Sequence, residues 1–271
     1  MIVVTGATGN VGQELVRTLV EVGEQVAAVS RHAAELPLGA VHFAADLADP
    51  GSLRPALAGA RALFLLVAGE DPEGILDLAR EAGVQRVVLL SSQGAGTRPE
   101  VYRHPVAFEY AVRRSGLDWT VLRSGGLNSN AFAWAGSIRA ERTAAAPFGA
   151  VGLPTVDPAD IAEVAAAVLR GDGHAGRTYD LTGPVPVTPR ERAAAIGAAL
   201  GEPVRFVEQT REEARAQMLA FMPEPVVEGT LAILGEPLPA EQRPSPDVER
   251  ILGRAPRTFT AWAARTAPAF R

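Results

Sequence analysis

Gly6, Gly9 and Gly12 recur at every third position of Thr5-Gly6-Ala7-Thr8-Gly9-Asn10-Val11-Gly12, between an apolar run and an amphipathic one. A loop of this kind, joining a strand to a helix, leaves backbone N–H groups bare at the helix start. A pyrophosphate can sit against such donors, and side chains would block its approach. A site for NAD carries a carboxylate after the second strand, to accept from the ribose 2′-OH. This chain has Ser30-Arg31-His32 there instead. The planar cationic fork of Arg31 suits a 2′-phosphate, so the expected cofactor is NADPH. Asp46, in Ala45-Asp46-Leu47, is placed either to accept from the adenine amino group or to serve as a simple turn residue.

The elements that must position these residues show in the hydrophobic pattern. Short apolar runs fall at Ile2–Thr5, Gln25–Val29, Val41–Ala44, Ala62–Val67, Arg86–Leu90 and Trp119–Leu122. Helical stretches fall near Val11–Val22, Pro50–Leu57, Pro72–Ala82 and Val106–Ser115. This βαβα alternation predicts an α/β fold with a doubly wound parallel sheet, its strands buried on both faces. Asp49, Asp71, Asp157 and Thr188 each precede a proline, which puts a capping oxygen before the first helical position. Their expected role is structural. Beyond Arg123, the loop Ser124-Gly125-Gly126-Leu127-Asn128 leads to a short helix. A helix at Pro158–Leu169, a strand at Thr178–Leu181, a helix at Pro189–Leu200 and a strand at Val204–Val207 follow. The expected division is a dinucleotide-binding domain over residues 1–183 and a smaller, mostly helical substrate-cleft domain over 184–271.

Composition excludes several classes. The 271 residues are 47% hydrophobic and 21% charged, the balance of a globular protein. A net charge of −5 argues against a general nucleic-acid binder. The apolar stretch from Ala62 to Gly69 is far shorter than the ~20 residues of a membrane span. Ile2 leads directly into the glycine loop with no basic stretch or cleavage site, so no signal peptide is expected and the expected location is cytoplasmic. Cysteine is absent, which removes disulfides, thiolate catalysis and Cys-based metal sites; no metal site is expected. All 26 basic residues are arginine. No mechanism that needs a lysine ammonium can run here.

The opening block with Arg31 resembles the NmrA-like branch of atypical short-chain dehydrogenases/reductases. So do Ser91-Ser92, Ser115-Gly116-Leu117-Asp118-Trp119-Thr120-Val121-Leu122-Arg123, Asp160-Ile161-Ala162, Tyr179-Asp180-Leu181-Thr182-Gly183, Leu200-Gly201 and Leu252-Gly253-Arg254-Ala255-Pro256. The resemblance implies a sheet in the order 3-2-1-4-5-6 and a cleft roofed by the C-terminal part. It also implies cofactor contacts at Gly6, Thr8 to Gly12, Arg31, Asp46 and Val67-Ala68. Ligands of such sheets bind beyond the carboxyl ends of the strands, where Ser91, Ser92 and the Ser124–Asn130 loop fall.

Short-chain dehydrogenases usually carry Tyr-x-x-x-Lys, whose lysine lowers the tyrosine pKa. Here Tyr102 has Val106 four residues on, and Tyr110 has Arg114. The candidate proton donors are Tyr102, His104 and Ser92, with Gln93 as the other reading of the serine position. Gly125, Gly126 and Asn128 are candidates for substrate contact. Asn128 and Asn130 can either donate to a substrate carbonyl or cap the next helix. The expected function is NADPH-dependent reduction of a carbonyl or quinone small molecule by hydride transfer. The alternative is a non-catalytic redox sensor that binds the dinucleotide and a protein partner.

Overall fold

The structure is a computed structural model that describes residues 1–33 and 35–271. The chain runs β1 (Ile2–Thr5), α1 (Asn10–Glu21), β2 (Val26–Ser30), β3 (Ala40–Ala44), α2 (Arg54–Leu57), β4 (Ala62–Leu66), α3 (Pro72–Glu81) and β5 (Arg86–Ser92). Next come α4 (Gly94–Thr97), α5 (Arg103–Arg114), β6 (Asp118–Ser124), α6 (Ala135–Glu141), β7 (Thr143–Ala146), α7 (Pro158–Arg170) and β8 (Arg177–Leu181). The remainder is α8 (Pro189–Leu200), β9 (Arg205–Glu208), α9 (Arg211–Leu219), α10 (Glu224–Gly235), α11 (Pro239–Gln242), α12 (Asp247–Leu252) and α13 (Phe259–Thr266). Short 3₁₀ segments occupy Pro50–Leu53 and Asn128–Trp134.

The main sheet is parallel, in the order β3-β2-β1-β4-β5-β6-β8. This is the expected doubly wound order, with β8 added at the edge. Strands β1 and β2 are buried along their whole length, as their unbroken apolar runs require. Two cores cover the two faces. Leu15 and Leu19 of α1 share one with Ile161 and Val164 of α7. Ile75 of α3 and Phe108 of α5 share the other. The caps form as read. Asp49, Asp71, Asp157 and Thr188 each accept a backbone N–H at a helix start.

Two regions depart from the sequence reading. Helix α5 starts at Arg103 rather than near Val106, because Pro105 lies in a first turn that needs no N–H from it. Strand β7, Thr-Ala-Ala-Ala, has no strand-like composition and forms by pairing in parallel with β9. That small sheet takes one strand from each side of Gly183. Ala131, Ile138 and Ala144 accordingly share a third core with Ile196, Phe259, Trp262 and Phe270. This is the core of the small lobe. No helix among the described residues is long and apolar enough to cross a membrane.

Candidate dinucleotide and substrate site

The glycine loop has the geometry its spacing implies. Gly6 has a φ of +63°, and a Cβ there would lie 2.0 Å from Leu66 Cδ1. A Cβ on Gly12 would lie 2.0 Å from the Gly6 carbonyl oxygen. Neither position has room for a side chain. Gly9 N–H donates to Gly6 O at 2.9 Å, Ala7 N–H to Val29 O at 3.0 Å, and Gln13 Nε2 to Thr8 O at 2.8 Å, so the loop is tied down at three points. Thr5, which the sequence reading did not single out, adds a fourth. Its buried hydroxyl donates to Phe64 O and accepts from Leu66 N–H, joining the ends of β1 and β4. Gly9 caps α1 with no side-chain hydrogen bond, and the first turn carries no acid. Helix geometry leaves the N–H groups of Asn10, Val11 and Gly12 without intrahelical partners. Thr8, Gly9 and Asn10 are exposed, and Val11 and Gly12 are buried. An open row of donors behind a surface free of Cβ atoms fits a pyrophosphate.

At the adenosine end, the Ser30 hydroxyl donates to His32 O at 2.6 Å and lies 3.0 Å from His42 Nε2. Ser30 therefore shapes the turn from which Arg31 projects. Arg31 is exposed, with no hydrogen bond or ion pair among the described residues. Asp46 Oδ1 accepts from Ala48 N–H at 3.0 Å, so one carboxylate oxygen does turn work. The Asp46-Leu47 loop packs on the end of β4. A Cβ on Gly69, whose φ is +79°, would lie 2.2 Å from Leu47 O. Half-buried Val67 and Ala68 form the approach to this contact.

The proton-donor candidates do not converge. Ser92 Oγ accepts from Gly94 N–H at 3.2 Å. The Tyr102 ring lies over the same glycine, 2.5 Å from where a Cβ would stand. Burial pushes the Tyr102 phenol above its ordinary pKa, against an opposing hydrogen bond from Thr230. A tyrosine activated for proton transfer needs the reverse. His104 is exposed and turned elsewhere, with Nε2 2.7 Å from Gly69 O and its ring edge-on to Phe108.

Ser91 also faces away from the cleft. Its hydroxyl donates to Glu109 at 2.8 Å, and Glu109 is 1% exposed. Arg123 donates to Glu109 through Nε and Nη2, and Arg113 through Nη2. Burial pushes the Glu109 carboxyl up, but these donors outweigh it and hold the group below the usual carboxylate range. This cluster underpins the ends of β5 and β6. A second such cluster ties the end of α4 to α11. Buried Glu241 accepts from Thr97 Oγ1 and from Arg98 Nε and Nη2, at 2.8 to 2.9 Å. Gln93 Nε2 donates to Ala240 O at 3.3 Å. Only the Glu109–Arg113 pair, four residues apart on one helix, has a local sequence signal; Ser91, Arg123 and the partners of Glu241 come from other elements.

After β6, neither Gly125 nor Gly126 has a positive φ, and a Cβ on either would meet nothing closer than 3.5 Å. The fold itself does not demand these glycines. Asn128 is fully buried, and its backbone N–H donates to Val156 O at 2.8 Å. Among the described residues its side-chain Oδ1 and Nδ2 have no partner, nor do the neighbouring Ser129 Oγ and Thr155 Oγ1. The segment Asn128–Trp134 has no side-chain cap, so neither Asn128 nor Asn130 takes that role. Phe132 stacks in the small-lobe core, 5.1 Å from the Trp262 ring, and Trp119 lies against the main core under Arg113.

A family model described as NAD(P)H-binding matches residues 6–172. The (4-alkanoyl-5-oxo-2,5-dihydrofuran-3-yl)methyl phosphate reductase of Streptomyces griseus is 36% identical, over 100% of this chain and 99% of its own. The NAD(P)H azoreductase of Xenophilus azovorans is 33% identical, again over 100% and 99%. An NADPH-dependent quinone oxidoreductase from Escherichia coli, solved with NADPH, superposes with a TM-score of 0.79. It is 23% identical, over 98% of this chain and 99% of that one, and shows the shared fold. The chain belongs to the NAD(P)H-binding oxidoreductase family, and it shares the fold of the regulator NmrA solved with NADP, at a TM-score of 0.75.

Proposed function

We propose that this chain reduces a small conjugated acceptor, a quinone or an unsaturated carbonyl compound, with NADPH as the hydride source. The observation that carries this reading is the fully buried Asn128 amide with both polar atoms unpaired. An unsatisfied buried amide costs about 1–3 kcal/mol per group, and a substrate carbonyl beside Gly125-Gly126 would accept from Nδ2. Bound NADPH supplies a hydride. The chain orients the acceptor and holds the dinucleotide at Gly6–Gly12 and Arg31. Ser92 Oγ accepts from Gly94 N–H, and the Tyr102 ring packs on the same glycine with its phenol pKa raised by burial. His104 lies against Gly69 O, so none of the three is an activated general acid. A conjugated acceptor suits this site, because its anion is delocalised and takes its proton from water. The two full-length relatives are named for a dihydrofuranone substrate and for azo compounds, both conjugated.

The engaged donors equally favour the sensor reading, which calls for NADPH binding with no turnover. The test is NADPH oxidation across quinones, acyl-substituted unsaturated lactones, azo dyes and saturated cyclic ketones. Conjugated acceptors should outpace saturated ketones by at least ~10²-fold, the scale of a missing general acid. Asn128→Ala should raise KM for the best of them. Equal rates on saturated ketones would refute the reading, and no turnover on any compound would favour the sensor.

A further inference from the structure

Arg192, in the first turn of α8, is half-buried with its Nε fully buried, yet its side chain has no hydrogen bond or ion pair among the described residues. Every other enclosed arginine has a partner. Arg98 faces Glu241, Arg123 faces Glu109, and Arg254 and Arg257 share Asp160 and Glu163. The acids of α8 and of the adjoining β9 and loop are committed elsewhere. Glu191 closes the capping box with Thr188, Glu208 binds Arg190 and the Gly149 N–H, and Glu202 pairs with Arg142.

The Arg192 guanidinium carbon stands 5.8 Å from the centroid of the Trp134 ring. Trp134 Nε1 donates to Ala145 O at 2.8 Å, so the indole is a fixed floor. Burial pulls the guanidinium pKa down to about 10. A cation–π contact offsets only part of the desolvation of a buried cation, and the missing counter-charge is an anion.

We propose that Arg192 is an anion-binding site of the small lobe, taking the carboxylate or phosphate of a small molecule through its planar fork over Trp134. Guanidinium matches both groups in a two-point geometry. The site goes beyond the proposed reductase reading and does not depend on turnover.

The test uses the full chain saturated with NADPH, which fills the glycine loop and keeps added anions from it. Tm is read at constant ionic strength in chloride, phosphate and benzoate, for the wild type and for Arg192→Leu. A bound anion should raise the wild-type Tm by about 2–4 °C over chloride and leave Arg192→Leu unmoved. Without added anion, Arg192→Leu should melt at or above the wild type, because an apolar residue replaces an unpaired enclosed charge. A response to benzoate alone would assign the site to an acidic substrate group, and an equal response to phosphate to a free anion. Wild-type indifference to both anions, with Arg192→Leu melting lower in chloride, would overturn the proposal and make Arg192 a packing element.

Discussion

Helices α1 and α7 pack side by side under the same sheet, but their N-termini are finished in opposite ways. At α7, Asp157 is fully buried and accepts from Ala159 N–H at 2.9 Å. Arg265 adds bonds of 2.8 and 2.7 Å to its two carboxylate oxygens. That helix start is complete within the chain. At α1 the cap is Gly9, with no side-chain bond and no acid in the first turn. Every side chain that would close this end is missing, and the loop leading to it is clamped by Thr5, Ala7, Gly9 and Gln13. A helix start satisfied by its own chain stabilises the fold. One left open on a rigid loop is, in the proposed reading, the seat of the dinucleotide.

The contrast can be broken from either side. Asp157→Ala removes a cap and two charge-assisted hydrogen bonds, and should cost about 2–4 kcal/mol by urea unfolding. NADPH affinity of the folded variant should stay within about threefold of the wild type, since the cofactor uses the other helix. A variant as stable as the wild type would mean that α7 does not depend on its cap. Arg31→Glu should act in reverse, leaving stability unchanged while the preference for NADPH over NADH falls by about 1–3 kcal/mol or inverts. Paired fluorescence titrations check this, and equal wild-type affinities would remove Arg31 from the site. Tyr102→Phe should have the smallest effect. The phenol is held protonated by burial, so quinone reduction should lose less than about tenfold, against ~10²–10⁴ for a lost general acid. A larger loss with intact NADPH binding would restore Tyr102 as the donor.

What could be read from the sequence follows the range of the interactions. The glycine loop, the Asp and Thr caps and the strands of the parallel sheet depend on neighbours a few residues away, and each was legible. Ser91 was not, because nothing near it in sequence indicates that its hydroxyl would turn to Glu109 on α5. The Arg98–Glu241 contact joins α4 to α11 across 143 residues. Strand β7 is three alanines after a threonine, and only its pairing with β9 makes it a strand. Asn128 was legible as cap or ligand contact, and Gly125-Gly126 as open cleft or turn. The absence of a side-chain cap removes one reading of Asn128, and the lack of crowding and the unpaired amide support the proposed ligand contact.

The most direct test makes α1 resemble α7. Gly9 has a φ of −82°, which any residue can adopt, and a Cβ there would stand 3.3 Å from Gly6 O, close but within reach of a small shift. Gly9→Asp would install a cap on the open donors and set a negative charge where the pyrophosphate sits. Titration of NADPH into the wild type and this variant, with apo Tm read alongside, separates binding from folding. The account expects affinity to fall by at least ~100-fold, about 2.7 kcal/mol, while the apo protein keeps its Tm. Wild-type affinity in Gly9→Asp would contradict it, because the open start of α1 would then not be what holds the dinucleotide.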